Sequence, residues 1–443
     1  MAAKRFEVTW DRLLTYWKPP KRAECQRNNC VNPPGRLHVR GLSWWCPLLL
    51  MRSCILQVTR IKCKRKADED VGSRPSKILR QCLTDESTTI MTKQDLRNLS
   101  RCVHRVRRQK YPPAPRDFVE LHIAVDKLDT VTCRGEQFCL LNDIPTHTLI
   151  FTCNSNLEVL CNDGAEIFAD GTFKACVNLY EQLYIIHACV NGHYLPLVFC
   201  LLTGKTEQHY VQLWHTIRDR CATLGFQFHP RSANFDFEIA AINAFRSTFP
   251  SVATYTCRFH FGQALWRNIQ RLGLTDDYKS GTEVGHWLHL FYGLSFLQPD
   301  DVSDAFAFDI MSCAPTSDKC DKFSDYFCST YLESTVFPPS LWAQIPSDTR
   351  RTNNGPESFH RHFNAQFTTP HPTFFIFWDE IVKQQTVTYI LMNDLHTIAP
   401  ITTEERRRQQ RLFRAWQKFQ QQLSSRQQFL RAVGYSYAAV CDL

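Results

Sequence analysis

The chain has 443 residues with a formal net charge of +9, 44% hydrophobic and 12% aromatic residues. That length and apolar content suffice for one large folded domain with insertions, or for two or three smaller ones, and argue against a disordered tail protein. The basic balance in a water-soluble chain favours a polyanionic partner, nucleic acid first, with plain solubility as the bland alternative.

The opening Met1-Ala2-Ala3-Lys4-Arg5 does not read as a secretory leader, and the 20 cysteines form no regular ladder of spacings. Free thiols in a reducing compartment are therefore expected. The apolar stretch 42–58 is interrupted by Arg52. It falls short of the roughly 20 apolar residues of a membrane span, so no membrane partner is expected. Basic clusters at 60–66 and 105–110 suit nuclear import or DNA contact, which points to a nuclear location, although such clusters also occur as ordinary solvated surface.

Residues 1–60 read as a poorly defined region. Cys25, Cys30, Cys46 and Cys54 accompany His38, and Pro19-Pro20 and Pro33-Pro34 break any long element. No histidine pair follows at zinc-finger spacing. Residues 61–140 read as a basic helical linker region. Leu96, Leu99, Val103 and Val106 recur at helical spacing, and Leu121, Val125 and Leu128 mark a second amphipathic segment.

The texture changes after residue 157. A short buried strand over 159–169 leads to Asp170-Gly171, and two β-rich runs at 180–190 and 194–202 flank Asn191-Gly192, a strong hairpin signal. A helix over 207–221, a strand over 226–236, a helix over 237–245, a strand over 252–257 and a helix over 259–272 follow. Three antiparallel strands followed by alternating helix and strand predict a mixed five-stranded sheet with helices on both faces. Residues 275–345 read as an α-helical insertion, and a helix restarts near Asn353-Asn354-Gly355-Pro356, with Pro356 suited to its first position. A basic helix carrying Leu412, Trp416, Phe419 and Leu423 lies in the C-terminal helical region, 381–443.

Three acids stand out. Asp170 and Asp236 fall at the ends of strands that this order allows to be neighbours, and Glu357 falls in the first turn of a helix. Convergent carboxylates repel one another unless a divalent cation neutralises them. Taken singly, each has an ordinary reading: a turn, a helix cap, a macrodipole partner. Glu238 rivals Asp236 and is expected to support or cap. Arg350, Arg351, Asn353, Asn354 and His360 form a polar cationic run around Glu357 suited to phosphate contacts. Cys257 and His260 form a Cys-x-x-His pair. With His360 it offers part of a Zn²⁺ site, or else a buried thiol and an active-site support. Trp266 reads as core.

Taken together, Asp170-Gly171-Thr172-Phe173, Asp236-Phe237-Glu238 with Ala241, Cys257-Arg258-Phe259-His260 with Gln263, and Asn353-Asn354 with Glu357-Ser358 and His360 resemble the signature series of Mutator-like element (MULE) transposases over about 155–380. The resemblance implies an α/β, RNase H-like core with a helical insertion before the last catalytic Glu. It implies a DDE-type DNA transposase in which Asp170, Asp236 and Glu357 hold two Mg²⁺ or Mn²⁺ ions and cleave and transfer DNA strands. The implied partners are double-stranded DNA, as transposon ends and target, and further copies of the chain, because two ends must be brought together.

Lys64-Arg65-Lys66-Ala67, Pro75-Ser76-Lys77-Ile78 and 99–115 resemble the stretch that joins a FLYWCH-type zinc finger to such a domain. The finger's own Phe-Leu-Tyr-Trp-Cys run and His-x-His are absent from 1–60. Three rival readings remain open: a domesticated transposase acting as a DNA-binding regulator without cleavage, another RNase H-like nuclease, and an interaction protein using the basic helix within 404–432.

Overall fold

The computed structural model describes residues 45–69, 75–83, 91–346 and 354–437. The chain divides into units 1–55 and 56–443. Of the first, only the start of helix α1 (Trp45–Glu69) is described, and the region expected to be poorly defined lies largely outside the described residues.

Helices α1, α2 (Pro75–Cys82) and α3 (Lys93–Lys110) enclose a small apolar cluster of Cys63, Ala67, Ile78, Cys82, Leu99 and Val103. The α3 start is fixed by a reciprocal capping box: Asp95 N donates to Thr92 Oγ1, and Thr92 N donates to Asp95 Oδ2. Helix α4 (Phe118–Lys127) buries Leu121 and Val125, as the periodicity predicts.

The sheet has seven strands, in the order β1-β2-β5-β4-β3-β6-β7. The five expected from the sequence are present as β3 (Glu166–Thr172), β4 (Gln182–Val190), β5 (His193–Leu202), β6 (Ser232–Phe235) and β7 (Ala253–Thr256). The two additional strands, β1 (Cys139–Asp143) and β2 (Thr148–Phe151), form a hairpin that extends the sheet beyond β5. They correct the five-strand expectation and the placing of the helical linker boundary at 140, which falls inside β1. Polar Asn142-Asp143 and the Pro145 turn disguise the hairpin by shortening each apolar run below a convincing alternation.

Two other boundaries move. Residues 154–160 are helix α5 (Asn154–Leu160), not strand, because Leu157 and Leu160 face the core at helical spacing. Residues 226–228 precede β6 without joining it. The Asn191-Gly192 turn has positive φ at both residues, 50° and 82°, matching the right-handed twist of the β4–β5 hairpin it joins.

β4 is buried along its whole length because both sheet faces are covered. Side chains alternate between two cores. Ile167, Ala169, Tyr184 and Ile186 enter one with helices α6 (Glu207–Thr223) and α7 (Ile239–Thr248). Leu183, Ile185, Phe199 and Leu201 enter the other with Phe363 of α12 (Asn354–Gln366) and Phe377 and Ile381 of α13 (Phe374–Met392). Since α13 spans 380–381, the expected start of a separate C-terminal region falls inside a helix that packs on the sheet. Between β7 and α12 lie α8 (Arg258–Arg271), α9 (Thr275–Ser280), α10 (Glu283–Gly293), α11 (Asp318–Phe327) and short irregular helical turns. This stretch is helical, and its Trp287, Phe291, Phe323 and Phe327 join the first core.

Candidate functional site

β3 and β6 run parallel, with Ala169 opposite Phe235 as their last matched pair. Asp170 and Asp236 are the next residues on the two strands. Side chains on a strand alternate between faces. Ala169 and Phe235 belong to the first core, so Asp170 and Asp236 continue toward the opposite face, the one α12 covers. β5 ends at the same edge, because its Leu202 pairs with Gln182 and β4 in turn begins opposite the end of β3.

Helix α12 is pinned to that face by several contacts. Phe359 and Phe363 lie 6.4 and 5.9 Å, centroid to centroid, from Phe199. Asn364 Nδ2 donates to Thr172 Oγ1 at 3.2 Å. At its start, Gly355 faces the Tyr194 ring so closely that a Cβ there would lie 2.3 Å from Tyr194 Cγ. The helix begins at Asn354, so Pro356 is its third residue rather than its first, while Glu357 is in the first turn as expected. His360 Nδ1 stands 3.3 Å from Asp170 Oδ2. Glu357 is three residues before His360, on the same side of the helix.

Electrostatics tie the three acids together. Burial raises the Asp170 carboxyl, against the lowering pull of His260 and Lys205. Burial, then the Asp170 and Glu238 charges, push Asp236 up to about 7. Burial, then the charge of Asp170, push Glu357 up to about 8. The surrounding imidazoles are held neutral: burial lowers His260 and brings His360 down to about 4. Asp236 Oδ1, Glu357 Oε1, His260 Nδ1 and His360 Nε2 are buried and have no hydrogen-bond partner among the described residues. Buried polar atoms are ordinarily satisfied, so four orphans around one strand edge mark a place built for something else.

Residues 167–264 match the MULE transposase domain. This ties the chain to transposase-related function. No curated protein and no solved structure matches the chain. The MULE segment contains Asp170, Asp236, Cys257 and His260; Glu357 and the 1–60 region where a FLYWCH finger was considered lie outside it.

Glu238 lies within the MULE segment. It is the N-cap residue of α7, makes no side-chain cap bond, and accepts from Tyr210 Oη at 2.5 Å. Gln182 Nε2 donates to Tyr210 Oη at 2.6 Å. Cys257 is the N-cap of α8, and its Sγ accepts from His260 N at 3.5 Å. Burial keeps its thiol far above the ordinary range, hence protonated. The Cys-x-x-His spacing is thus the N-cap to N3 spacing of a helix start. Trp266 is buried, as expected. Among the described residues, no three His, Cys, Asp or Glu side chains form a ready-made metal cage.

Arg350, Arg351 and Asn353 lie outside the described residues; Asn354 begins α12, and its side chain is not described. Two residues escaped the sequence reading. Lys205 lies just past β5, 4.0 Å from Glu238 Oε2 and over the Phe173 ring at 4.3 Å, and its charge acts on both Asp170 and Asp236. Fully buried His187 on β4 packs 5.0 Å from Phe359 and 5.8 Å from the His360 ring. The register of β5 against β4 would have flagged Lys205; nothing in the apolar run around His187 would have flagged it.

Proposed function

We propose that this chain is a DDE-type DNA transposase of a Mutator-like element, with an RNase H-like catalytic core and Asp170, Asp236 and Glu357 as its metal-holding acids. The observation that carries the reading is the pairing of Asp170 and Asp236 at the ends of adjacent parallel strands, with Glu357 brought over them by α12. Strands β3 to β7, numbered first to fifth in chain order, lie third-second-first-fourth-fifth, with the second antiparallel to the first and third and the first, fourth and fifth parallel, which suits an RNase H-like core.

The donor set fits a hard divalent cation. It offers carboxylate oxygens, two of them buried without partners, on acids whose ionisation the site itself disfavours. Magnesium keeps several waters and takes substrate phosphate oxygens as ligands, so a preformed three-residue cage is not required of the protein. When bound, a pair of Mg²⁺ or Mn²⁺ ions activates a water or a DNA 3′-hydroxyl and stabilises the leaving oxygen. The chain's own residues prepare this. Neutral His360 bears on Asp170 and fixes its orientation. Glu238, held by Tyr210, places negative charge beside Asp236 and so strengthens its demand for a cation. Lys205 offsets part of the anionic charge at the strand edge. We read Cys257 and His260 as a helix cap and an active-site support rather than as ligands of Zn²⁺.

On this reading the partners are the two DNA ends of an element and a target duplex, held by a homo-oligomer in the nucleus, with Arg350, Arg351, Asn353, Asn354 and His360 near the phosphates. A strand-cleavage assay on duplexes carrying candidate terminal inverted repeats, with Mg²⁺ or Mn²⁺, tests it. Nicking by the wild type that is lost in Asp170→Asn is expected. Sequence-specific binding without nicking under any divalent cation would instead establish the domesticated regulator.

A further inference from the structure

Helix α14 (Thr403–Gln420) turns one face inward. Leu412 is buried, and Trp416 and Phe419 pack on Phe429 at 5.5 and 5.2 Å. Phe429 belongs to α15 (Arg426–Tyr437), which lies so close to α10 that a Cβ on Gly434 would stand 2.1 Å from His289 O. The inward face of α14 is therefore fixed through α15 to the body of the domain.

The opposite face is a row of cations. Arg407, Arg411, Arg414 and Lys418 are spaced four, three and four apart and are all exposed. At 3.6 residues per turn they fall within about 60° of one another, and roughly 100° or more from the Leu412, Trp416 and Phe419 direction. None of the four side chains makes an ion pair or hydrogen bond with another described residue. Arg408, by contrast, is turned inward over the Tyr437 ring at 3.9 Å. Glu404 continues the row at its first turn, where a carboxylate serves the helix dipole.

Four cations in line, on a helix held from behind, carry a positive field about 16 Å long. Duplex DNA carries a negative charge about every 1.7 Å of its axis, so a row of this length faces several phosphates. Consecutive cations about 5–6 Å apart can each meet a separate phosphate. We propose that α14 lies along the sugar–phosphate backbone of duplex DNA and supplies sequence-independent grip on it, apart from the carboxylate site. No base readout is implied, because arginines along a backbone position the protein without reading sequence. The surface is distinct from the acids, so this inference stands or falls separately from the cleavage reading.

The test uses the full chain, a random-sequence duplex of 30 base pairs and EDTA, so that no cleavage intervenes. Binding is followed by fluorescence anisotropy over a salt series. Arg407→Gln, Arg411→Gln, Arg414→Gln and Lys418→Gln combined should lower the slope of log K on log salt by about 3 to 4. Equivalently, between 50 and 200 mM salt the wild type should lose roughly 100-fold more affinity than the variant. A control replacing Lys127, Arg271, Lys279 and Lys322, all exposed, removes the same net charge and should leave the slope within about one unit. The pairs R407Q/R411Q and R414Q/K418Q should each lower it by about half as much, and they keep the test decisive if the quadruple variant folds poorly. Equal slope losses in stripe and control, or an unchanged stripe variant, would overturn the proposal. So would tighter binding of wild type to polyglutamate or to phosphatidylserine vesicles than to the duplex.

Discussion

Asp170 and Asp236 each stand one residue beyond a shared rung of two parallel strands, Ala169 opposite Phe235, and point to the same face of the sheet. Burial, and after it the charge of Asp170, pushes the Asp236 carboxyl up to about 7. Asparagine at either position keeps the shape and removes one charge. Asp236→Asn should abolish DNA cleavage by about 10³-fold or more, as loss of one member of a catalytic unit does. It should not lower the melting temperature at pH 8, where it relieves like-charge repulsion. Cleavage kinetics and calorimetry on one preparation check both halves.

The pH dependence of stability has a defined sign. Between pH 6.5 and 8.5 an unfolded histidine gives up its remaining proton, while buried His360, at about 4, is neutral throughout. Asp236 and Glu357, with folded values of about 7 and about 8, still hold protons in the native state that the unfolded chain has already released. The native state therefore binds more protons, and stability falls as pH rises through this window. Buried His360, at about 4, opposes this trend because an unfolded histidine accepts a proton that it resists, but one histidine offsets only one of the two acids. Metal-free protein should melt lower at pH 8.5 than at pH 6.5, and Mg²⁺ should recover stability at pH 8.5. A melting temperature in EDTA that climbs steadily to pH 8.5 would contradict the assignment of raised carboxyls.

Gly355 sets how closely Glu357 approaches the sheet. An alanine Cβ would sit 2.3 Å from the Tyr194 ring, and both groups belong to packed elements, so α12 must shift. Overpacking of this kind costs about 1–3 kcal/mol. Gly355→Ala should lower stability by that amount and impair cleavage. Adding Tyr194→Ala should restore cleavage partly, because it opens space for the Cβ. Failure of the second change to rescue any activity would show that the clash is not what positions Glu357.

Much of this was readable in advance, and the reasons differ by element. The β4–β5 hairpin announced itself through Asn191-Gly192 between two apolar runs, and the strand order allowed β3 and β6 to be neighbours without fixing their direction. The β1–β2 hairpin did not, because its strands of five and four residues carry Asn142 and Asp143 and no alternation long enough to recognise. Among the site residues, Asp170 and Asp236 could be placed by strand ends. Lys205 and His187 reach the site only through register, which local sequence does not encode.

The Cys257–His260 pair separates cap from metal ligand. If Cys257 acts as the N-cap of α8, serine supplies a better acceptor for His260 N, and Cys257→Ser should stay within about 1 kcal/mol of wild type. Cys257→Ala should lose about 1 kcal/mol. Elemental analysis should find no stoichiometric zinc in either. Zinc that co-purifies with the wild type and is lost in the serine variant would make the pair a ligand set after all.

The central claim is that Asp170, Asp236 and Glu357 converge to hold divalent cations beside DNA. Titration of Mn²⁺ into the DNA-bound chain, followed by electron paramagnetic resonance, tests it without depending on turnover. Two tightly bound ions per chain are expected, with binding weakened in D170N, D236N and E357Q alike. Mn²⁺ binding that is unchanged when all three acids are replaced together would contradict it.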